Sequence, residues 1–335
     1  MRRFFFPVIL LLFSVVVGSC VDEDTFDNTP QGNFEALWKI MDEHYCFFDY
    51  KEQTLGVDWT DVYRRYKPMT NGADTEQLFE VLSNMLGELK DGHVNLSSGF
   101  DYGRNWSWKE DYPSNFSDTL YNKYMGTDYR IASGIYYRIL DDNVGYMRVN
   151  TFANEPGDGN LDDILMHFIA CRSLIIDVRN NGGGLVTAAE KLASRFTNEE
   201  ITAGYIQHKT GTGHNDFSAL KELRLKPSSH MRWQKQTFVL TNRGVFSAAN
   251  EFVMYMKQCP KVTTIGDKTG GGAGMPFTSE LPNGWGVRFS AVPMYDADKN
   301  SVEHGIEPDI YCSIADDDFH RGKDTIIEKA RTLTE

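Results

Sequence analysis

The chain has 335 residues, with 47 acidic side chains against 34 basic ones and a formal net charge of −13 at pH 7. This length is sufficient for one large domain and a smaller one beside it. Because such an acidic chain is repelled by phosphate backbones, nucleic acid is excluded as an expected partner.

The first segment has the pattern of an export signal. Arg2 and Arg3 precede a short apolar run over 4–17, and small residues then lead to Cys20. This ending resembles a bacterial lipobox, in which the cysteine becomes the lipidated first residue of the mature protein. We therefore expect residues 1–19 to be a lipoprotein signal peptide. An ordinary signal peptide or an N-terminal membrane anchor is the alternative.

A lipid anchor at Cys20 would hold the protein in a bacterial cell envelope, at the periplasmic or surface-exposed face of the outer membrane. Residues 20–32 are polar and acidic and are expected to be a linker. The acidic residues after the cysteine are typical either of a solvated tether or of a surface-export tag.

The other cysteines are Cys46, Cys171, Cys259 and Cys312. They are far apart and show no CxxC spacing, so buried free thiols are favoured over a disulfide framework. No cluster of His and Cys predicts a metal site, and no cofactor is expected.

Residues 33–96 are predicted to form a small helical subdomain. Apolar residues recur there at helical spacing, first at Phe34, Leu37, Trp38 and Met41 and later from Leu78 to Leu86. Asp74 or Thr75 can cap the second long helix. Residues 97–134 lack clear periodicity and are expected to be a strand-and-loop connector.

Residues 135–335 alternate between strand and helix patterns, which predicts an α/β layer fold. The predicted strands are 136–140, 144–149, 173–178, 237–241, 262–265, 284–292 and 310–313, all in one sheet. The predicted helices are 162–170, 185–196 and 248–258.

Ser247 lies between the apolar strand at 237–241 and the helix at 248–258. A serine at this position is most often a helix N-cap. However, the strand places its hydroxyl at the carboxyl end of a sheet, where α/β folds bind ligands. The N–H of Ala248 begins the helix and can donate to an anion. A nucleophilic serine is therefore a second interpretation.

The run from Asp177 to Gly184 ends in three glycines after another apolar strand. It is typical of a tight turn or a phosphate-binding loop, but Thr187 replaces the third glycine of GxGxxG and no Walker lysine follows. The Gly183 N–H could instead be the second donor to an oxyanion beside Ser247.

A general base is needed to activate a serine, and imidazole suits that task near neutral pH. His93 lies at a glycine-containing corner between the two predicted subdomains, where Gly92 is expected to take the left-handed conformation. Glu303 could orient this histidine as the third member of a relay. His304 is the competing base.

Five stretches carry a resemblance: LKDGHV, LIIDVRNNGGG, FSAANEF, IGDKTGGGAG and GIEPDI, in this order. Together they resemble the S41 family of serine peptidases, which includes C-terminal processing peptidases and a tricorn and retinoid-binding branch. The resemblance implies a crotonase-like (ClpP/crotonase) ββα core behind the helical subdomain. It also implies that Ser247 is the nucleophile, His93 the base and Glu303 the orienting acid. The backbone N–H groups of Gly183 and Ala248 would form the oxyanion hole.

The sequence departs from that family in three places. Processing peptidases use a lysine base where this chain has glycine near Gly272, and Lys268 is too early to replace it. Tricorn-like members place serine before the histidine, where this chain has Gly92. The segment between His93 and residue 136 is too short for the PDZ domain that many relatives carry.

The sequence favours an exported, lipid-anchored serine endopeptidase that cleaves a peptide or unfolded protein through an acyl-enzyme. A non-catalytic protein that binds peptides or hydrophobic ligands on the same scaffold is the alternative. An acyl-CoA enzyme would share the core, but the export signal argues against it because coenzyme A is cytoplasmic. Oligomeric state and cleavage preference are not predicted.

Overall fold

A computed structural model describes residues 25–104 and 111–334. The predicted signal peptide and the lipidation site at Cys20 lie outside these residues. Within the two described ranges, no helix has the length and apolar character needed to cross a bilayer.

Helices cover much of the first part of the chain and flank the later strands. They are α1 (Pro30–His44), α2 (Phe48–Leu55), α3 (Trp59–Tyr66), α4 (Thr75–Gly87), α5 (Asp118–Met125), α6 (Asp158–His167), α7 (Val186–Ala193), α8 (Ala248–Lys257), α9 (Asp316–His320) and α10 (Thr325–Thr332). Asp74 caps α4 in a capping box with Gln77, which confirms the predicted start of that helix.

The strands form two sheets. They are β1 (Asn95–Ser97), β2 (Tyr102–Arg104), β3 (Arg130–Ala132), β4 (Ile135–Ile139), β5 (Val144–Arg148), β6 (Ser173–Asp177), β7 (Ile201–Ile206), β8 (Lys221–Leu225), β9 (Thr237–Thr241), β10 (Val262–Gly266), β11 (Gly274–Glu280), β12 (Gly286–Asp296) and β13 (Ile310–Tyr311).

Among the described residues, the larger sheet has seven strands in the order β13-β10-β9-β6-β5-β4-β3. The strands from β13 to β5 are parallel, and β4 and β3 complete the sheet in antiparallel fashion. Every residue of β6 and β9 is buried, as expected for central strands covered on both faces. Because β6 and β9 are neighbours, the glycine run and Ser247 emerge side by side.

The second sheet was not predicted. Within the described ranges it has six strands, in the order β2-β1-β12-β7-β8 with β11 also paired to β12. The prediction that 284–292 joins the larger sheet is therefore wrong. Those residues belong to β12, which pairs with β1 with Asn95 opposite Arg288.

The helical part and the second sheet share one hydrophobic core. Phe34 and Leu37 of α1 and Leu82 of α4 pack with Leu96 of β1 and Val287 of β12. The hydrophobic core of residues 33–96 is therefore completed by a strand from much later in the chain. Without it, α1 and α4 would leave their apolar faces exposed.

The predicted connector, 97–134, is divided between the two sheets. β2 extends the second sheet, whereas β3 pairs with β4 at the edge of the larger one. The boundary placed before residue 135 is therefore too late, because the larger sheet already includes 130–132. Short strands such as these carry too few residues to show a period in the sequence.

Candidate active site

Ser247 lies at the junction between β9 and α8 with a backbone conformation that is unusual for serine. Its φ is 59° and its ψ is −128°, and its N–H donates to the Gly271 carbonyl at 2.9 Å. Such a conformation costs on the order of 1–3 kcal/mol and persists only where the surroundings fix it. The side chain makes no capping hydrogen bond to α8. Ser247 therefore occupies the N-cap position of α8, but the interpretation that its hydroxyl caps the helix is wrong.

The Ser247 hydroxyl instead contacts His93. Its Oγ lies 2.9 Å from His93 Nε2, so residues 154 positions apart in the chain meet at one point. This is the distance expected between a nucleophile and its general base.

His93 lies in the corner between α4 and β1. The left-handed residue of this corner is Lys90, with φ of 45°, rather than the expected Gly92. The His93 N–H donates to Asp91 Oδ1 at 2.8 Å, and the imidazole lies against the Phe246 ring at 4.8 Å between centroids. Both contacts restrict where the imidazole can point.

Burial determines the protonation state of His93. It lowers the pKa of this histidine to about 4, while the Asp91 carboxylate raises it and the Arg288 cation lowers it. The imidazole is therefore neutral at neutral pH and can accept a proton. Among the described residues, Nδ1 has no hydrogen-bond partner of normal geometry, although the Gly274 backbone is close enough to raise the pKa of the ring.

Glu303 makes no hydrogen bond to His93, which corrects the expected relay. Its Oε1 accepts from Lys51 Nζ at 3.1 Å and its Oε2 accepts from the Ala273 N–H at 3.0 Å. The backbone explains this placement, because the Gly272 N–H also donates to the Glu303 carbonyl and ties the two loops together.

The carboxylate beside His93 is Asp91, to which the sequence analysis assigned no role. Besides the His93 N–H, it accepts from the Tyr45 hydroxyl at 3.0 Å and the Ser290 hydroxyl at 2.9 Å. In the sequence, the position of Asp91 two residues before His93 was the signal that could have identified this role. Asp91 thus holds the backbone of His93 rather than its ring.

Lys51 and Glu303 form an ion pair whose side chains are 0% and 3% exposed. Burial lowers the pKa of Lys51, but attraction to Glu303 and Asp91 outweighs it and the net shift is upward. Burial, together with the nearby Asp91 charge, raises the pKa of Glu303. One cation therefore compensates two buried acids next to the histidine.

The two expected oxyanion donors differ in their present partners. The Ala248 N–H begins α8 and has no protein acceptor in the described part of the chain. The Gly183 N–H donates to Asn181 Oδ1 at 2.9 Å and is therefore engaged. A side chain at Gly183 would lie 2.8 Å from Ser247 Cβ, so this position must be glycine for the two junctions to meet.

Neither alternative base lies at the site. A Cβ on Gly272 would come within 2.4 Å of the Phe246 ring, and Lys268 pairs instead with Glu307 at 3.0 Å. His304 packs against Tyr50 at 5.0 Å and makes no hydrogen bond to Ser247. The competing assignment of His304 as base is therefore wrong.

A cavity of about 230 Å³ opens beside Ser247 and His93. Most of its lining is apolar, from Leu185, Val186, Met254, Met275, Met294 and Val302. Polar groups enter it from Glu251 and Arg288. Such a recess can accept one side chain of a bound peptide.

The described residues contain no cluster of side chains suited to a metal ion, and Cys46, Cys171, Cys259 and Cys312 are free thiols. Ser247 and His93 supply a hydroxyl and an imidazole at the site, and the start of α8 supplies a backbone amide.

Residues 143–312 match the pattern of peptidase family S41, and residues 26–87 match the tricorn protease C1 domain. A stretch of 173 residues is 29% identical to a "Probable CtpA-like serine protease" of Staphylococcus epidermidis, covering 51% of this chain and 34% of that protein. The chain thus spans about a third of the length of the curated relatives it matches.

Solved structures give a similar result. A candidate peptidase from Parabacteroides merdae is 49% identical, with a TM-score of 0.87 over 92% of this chain and 97% of the other. Mature CPAF is 14% identical, with a TM-score of 0.70 over 91% of this chain and 96% of the other, which shows a shared mixed α/β fold. The S41 pattern spans half of the chain, and the chain therefore belongs to peptidase family S41, a family of serine peptidases.

Proposed function

We propose that this protein is a serine endopeptidase that cleaves a peptide or unfolded protein through an acyl-enzyme on Ser247. The observation that carries the proposal is the 2.9 Å contact between the Ser247 hydroxyl and the imidazole of His93. Burial lowers the pKa of that imidazole to about 4 and keeps it neutral.

In the first step, Ser247 Oγ attacks the peptide carbonyl while His93 Nε2 takes the hydroxyl proton. The C–N bond then breaks and the imidazolium returns the proton to the leaving amine. Water attacks the resulting ester with the same base, which releases a carboxylic acid and restores Ser247.

The tetrahedral intermediate carries a negative oxygen that needs fixed donors. The Ala248 N–H is available at the start of α8, where the helix dipole also favours negative charge. Gly183 can contribute its N–H only by exchanging Asn181 Oδ1 for the substrate oxygen.

The proposed relay of Ser247, His93 and Glu303 becomes indirect. Asp91 holds the backbone N–H of the base, and Glu303 acts as a positioning residue through Lys51 and the Ala273 N–H. Glu303 thus connects α2 to the loop that supplies Gly271, the acceptor of the Ser247 N–H.

Two further expectations belong to this proposal. The run of parallel strands β6, β9 and β10 with α7 and α8 supports a crotonase-like core. The pattern of residues 1–20 supports a lipid anchor at Cys20 and a place in the bacterial cell envelope. Replacement of Cys20 by alanine should move the protein from the membrane fraction to the soluble one, and unchanged fractionation would contradict the anchor.

A fluorophosphonate probe tests the nucleophile. We expect covalent labelling of the wild-type protein and its loss in Ser247→Ala. Ser133→Ala is the matched control, because Ser133 also has a positive φ of 48° but is exposed and remote in sequence. If the folded wild-type protein is not labelled and releases no peptide fragments, the binding-protein alternative replaces the proposal.

A further inference from the structure

Glu251 lies on α8 one helical turn after the proposed nucleophile. Its N–H donates to the Ser247 carbonyl at 3.1 Å, and residues four apart share one face of a helix. Glu251 also lines the cavity beside Ser247, and only 6% of its surface is exposed. An acidic residue is therefore part of a largely apolar recess next to the Ser247 hydroxyl.

Only one of the two oxygens of the Glu251 carboxyl group has a hydrogen-bond partner among the described residues. Its Oε1 accepts from the Tyr255 hydroxyl at 2.8 Å, whereas its Oε2 is buried with no hydrogen-bond partner in the described residues. Burial raises the pKa of Glu251 to about 7, with the Tyr255 hydrogen bond opposing this shift and the Glu190 charge adding to it. A buried oxygen without a donor is unfavourable, so a ligand that supplies a donor is favoured.

The walls of the cavity indicate the shape of that ligand. Met254, Met275 and Met294 line it, and thioether side chains adapt to an unbranched chain. Arg288 also lines the cavity, but it does not hydrogen-bond to Oε2 of Glu251, which has no partner in the described residues. Glu251 therefore has no basic partner of its own among the described side chains.

We propose that this cavity receives the substrate side chain on the acyl side of the scissile bond, and that Glu251 selects lysine or arginine there. The proposal rests on the proposed function of Ser247. The aliphatic stem of the basic residue lies along the methionines, and its cationic head donates to Oε2 of Glu251 once the carboxyl group, which is buried in the unliganded protein, turns towards it. An apolar side chain fills the same cavity but leaves Oε2 without a hydrogen-bond donor. A site built to bind a donor discriminates against analogues that lack it.

Two peptidyl diphenyl phosphonates that differ only in this side chain test the inference. One carries the aminobutyl group of lysine and the other the n-butyl group of norleucine, which has the same stem without the ammonium. In both, Ser247 Oγ displaces one phenoxide from phosphorus. We expect the wild-type protein to react with the lysine probe roughly tenfold or more faster. Equal rates, or a faster norleucine probe, would overturn the inference.

Variants at Glu251 sharpen the result. Glu251→Gln keeps the shape and should reduce the ratio of rates to near one, and Glu251→Met should favour norleucine. The matched control is Glu199→Gln, which removes an exposed carboxylate that neither lines the cavity nor acts on Glu251, and it should leave the ratio within about twofold. An unchanged preference in a folded Glu251→Gln protein would contradict the assignment.

The same experiment separates this inference from the proposed function. If a small fluorophosphonate labels Ser247 but the two peptide probes react equally, the peptidase proposal stands and the role of Glu251 fails. If neither peptide probe nor the small fluorophosphonate reacts with the folded protein, the nucleophile itself is wrong.

Discussion

The proposed nucleophile and the proposed base come from two regions that hold their residues in different ways. Ser247 is fixed by main-chain geometry, at a junction between a fully buried strand and a helix and against Gly183. His93 is fixed by a buried polar network, in which Asp91 also accepts from Tyr45 and Ser290. The first region should tolerate changes to polar side chains around it, whereas the second should not.

The largest expected effect is on activity, at the point where the two regions meet. Ser247→Ala and His93→Gln should each lower kcat/KM by at least about 1000-fold, because residues that act as one unit are lost together. The double variant should be little worse than either single one. Hydrolysis of a peptide pool followed by mass spectrometry measures this, and additive losses would mean that the two residues do not act as a unit.

The second effect is on the free energy of unfolding and concerns the buried ion pair of Lys51 and Glu303, which links the two regions. Lys51→Met leaves Glu303 buried without its cation and should lower the free energy of unfolding by about 3–5 kcal/mol. Adding Glu303→Gln should restore much of this loss, because glutamine is neutral and still accepts from the Ala273 N–H. Urea unfolding measures all three proteins.

Arg64→Met is the control for that series. Arg64 pairs with Asp61 at 2.7 Å, but the two side chains are 70% and 59% exposed. Solvent screens such a pair, so no measurable change is expected. A Lys51→Met protein as stable as the wild type would show that the buried pair does not hold the two regions together.

The third effect is a displacement of the pH profile. Catalysis needs neutral His93, so kcat/KM should fall on the acid side only near pH 4. Asp91→Asn removes a negative charge that raises the pKa of His93, and the acid limb should therefore move lower. Asparagine can still accept the His93 N–H, but its amide nitrogen cannot accept from the Tyr45 and Ser290 hydroxyls, so we also expect a loss of rate at neutral pH. An acid limb that moves higher would contradict the assigned role of Asp91.

The smallest effect has the opposite sign. Arg288 lowers the pKa of His93, so Arg288→Gln should move the acid limb to higher pH. The same limb should appear in stability, because the lowered pKa means that the contribution of neutral His93 is complete above about pH 6.5 and is lost as the pH falls towards 4. The free energy of unfolding and kcat/KM, each measured over this pH range, should both report the titration of His93.

The same two regions differ in how well the sequence predicted them. The buried strands β6 and β9 are continuous apolar runs, so their bounds and the position of Ser247 were predicted closely. Most of the second sheet was missed, because β8 and β11 are largely exposed and their apolar spacing is weak.

The candidate site shows a similar division. Ser247, His93 and Ala248 were predicted from motifs and lie together. The contact of Glu303 was predicted wrongly because Lys51, 252 residues away, captures its carboxylate. No local pattern identifies a pair at that separation, and the same holds for Glu251, whose place on α8 is clear but whose unmet oxygen depends on the surrounding packing.

Trapping of the acyl-enzyme tests the central claim most directly. The protein is treated with an activated ester, quenched in acid and mapped by mass spectrometry. The account predicts one acyl group, attached to Ser247, that accumulates in the wild-type protein and is absent after His93→Gln. An acyl group on another residue, or undiminished acylation of Ser247 without His93, would contradict it.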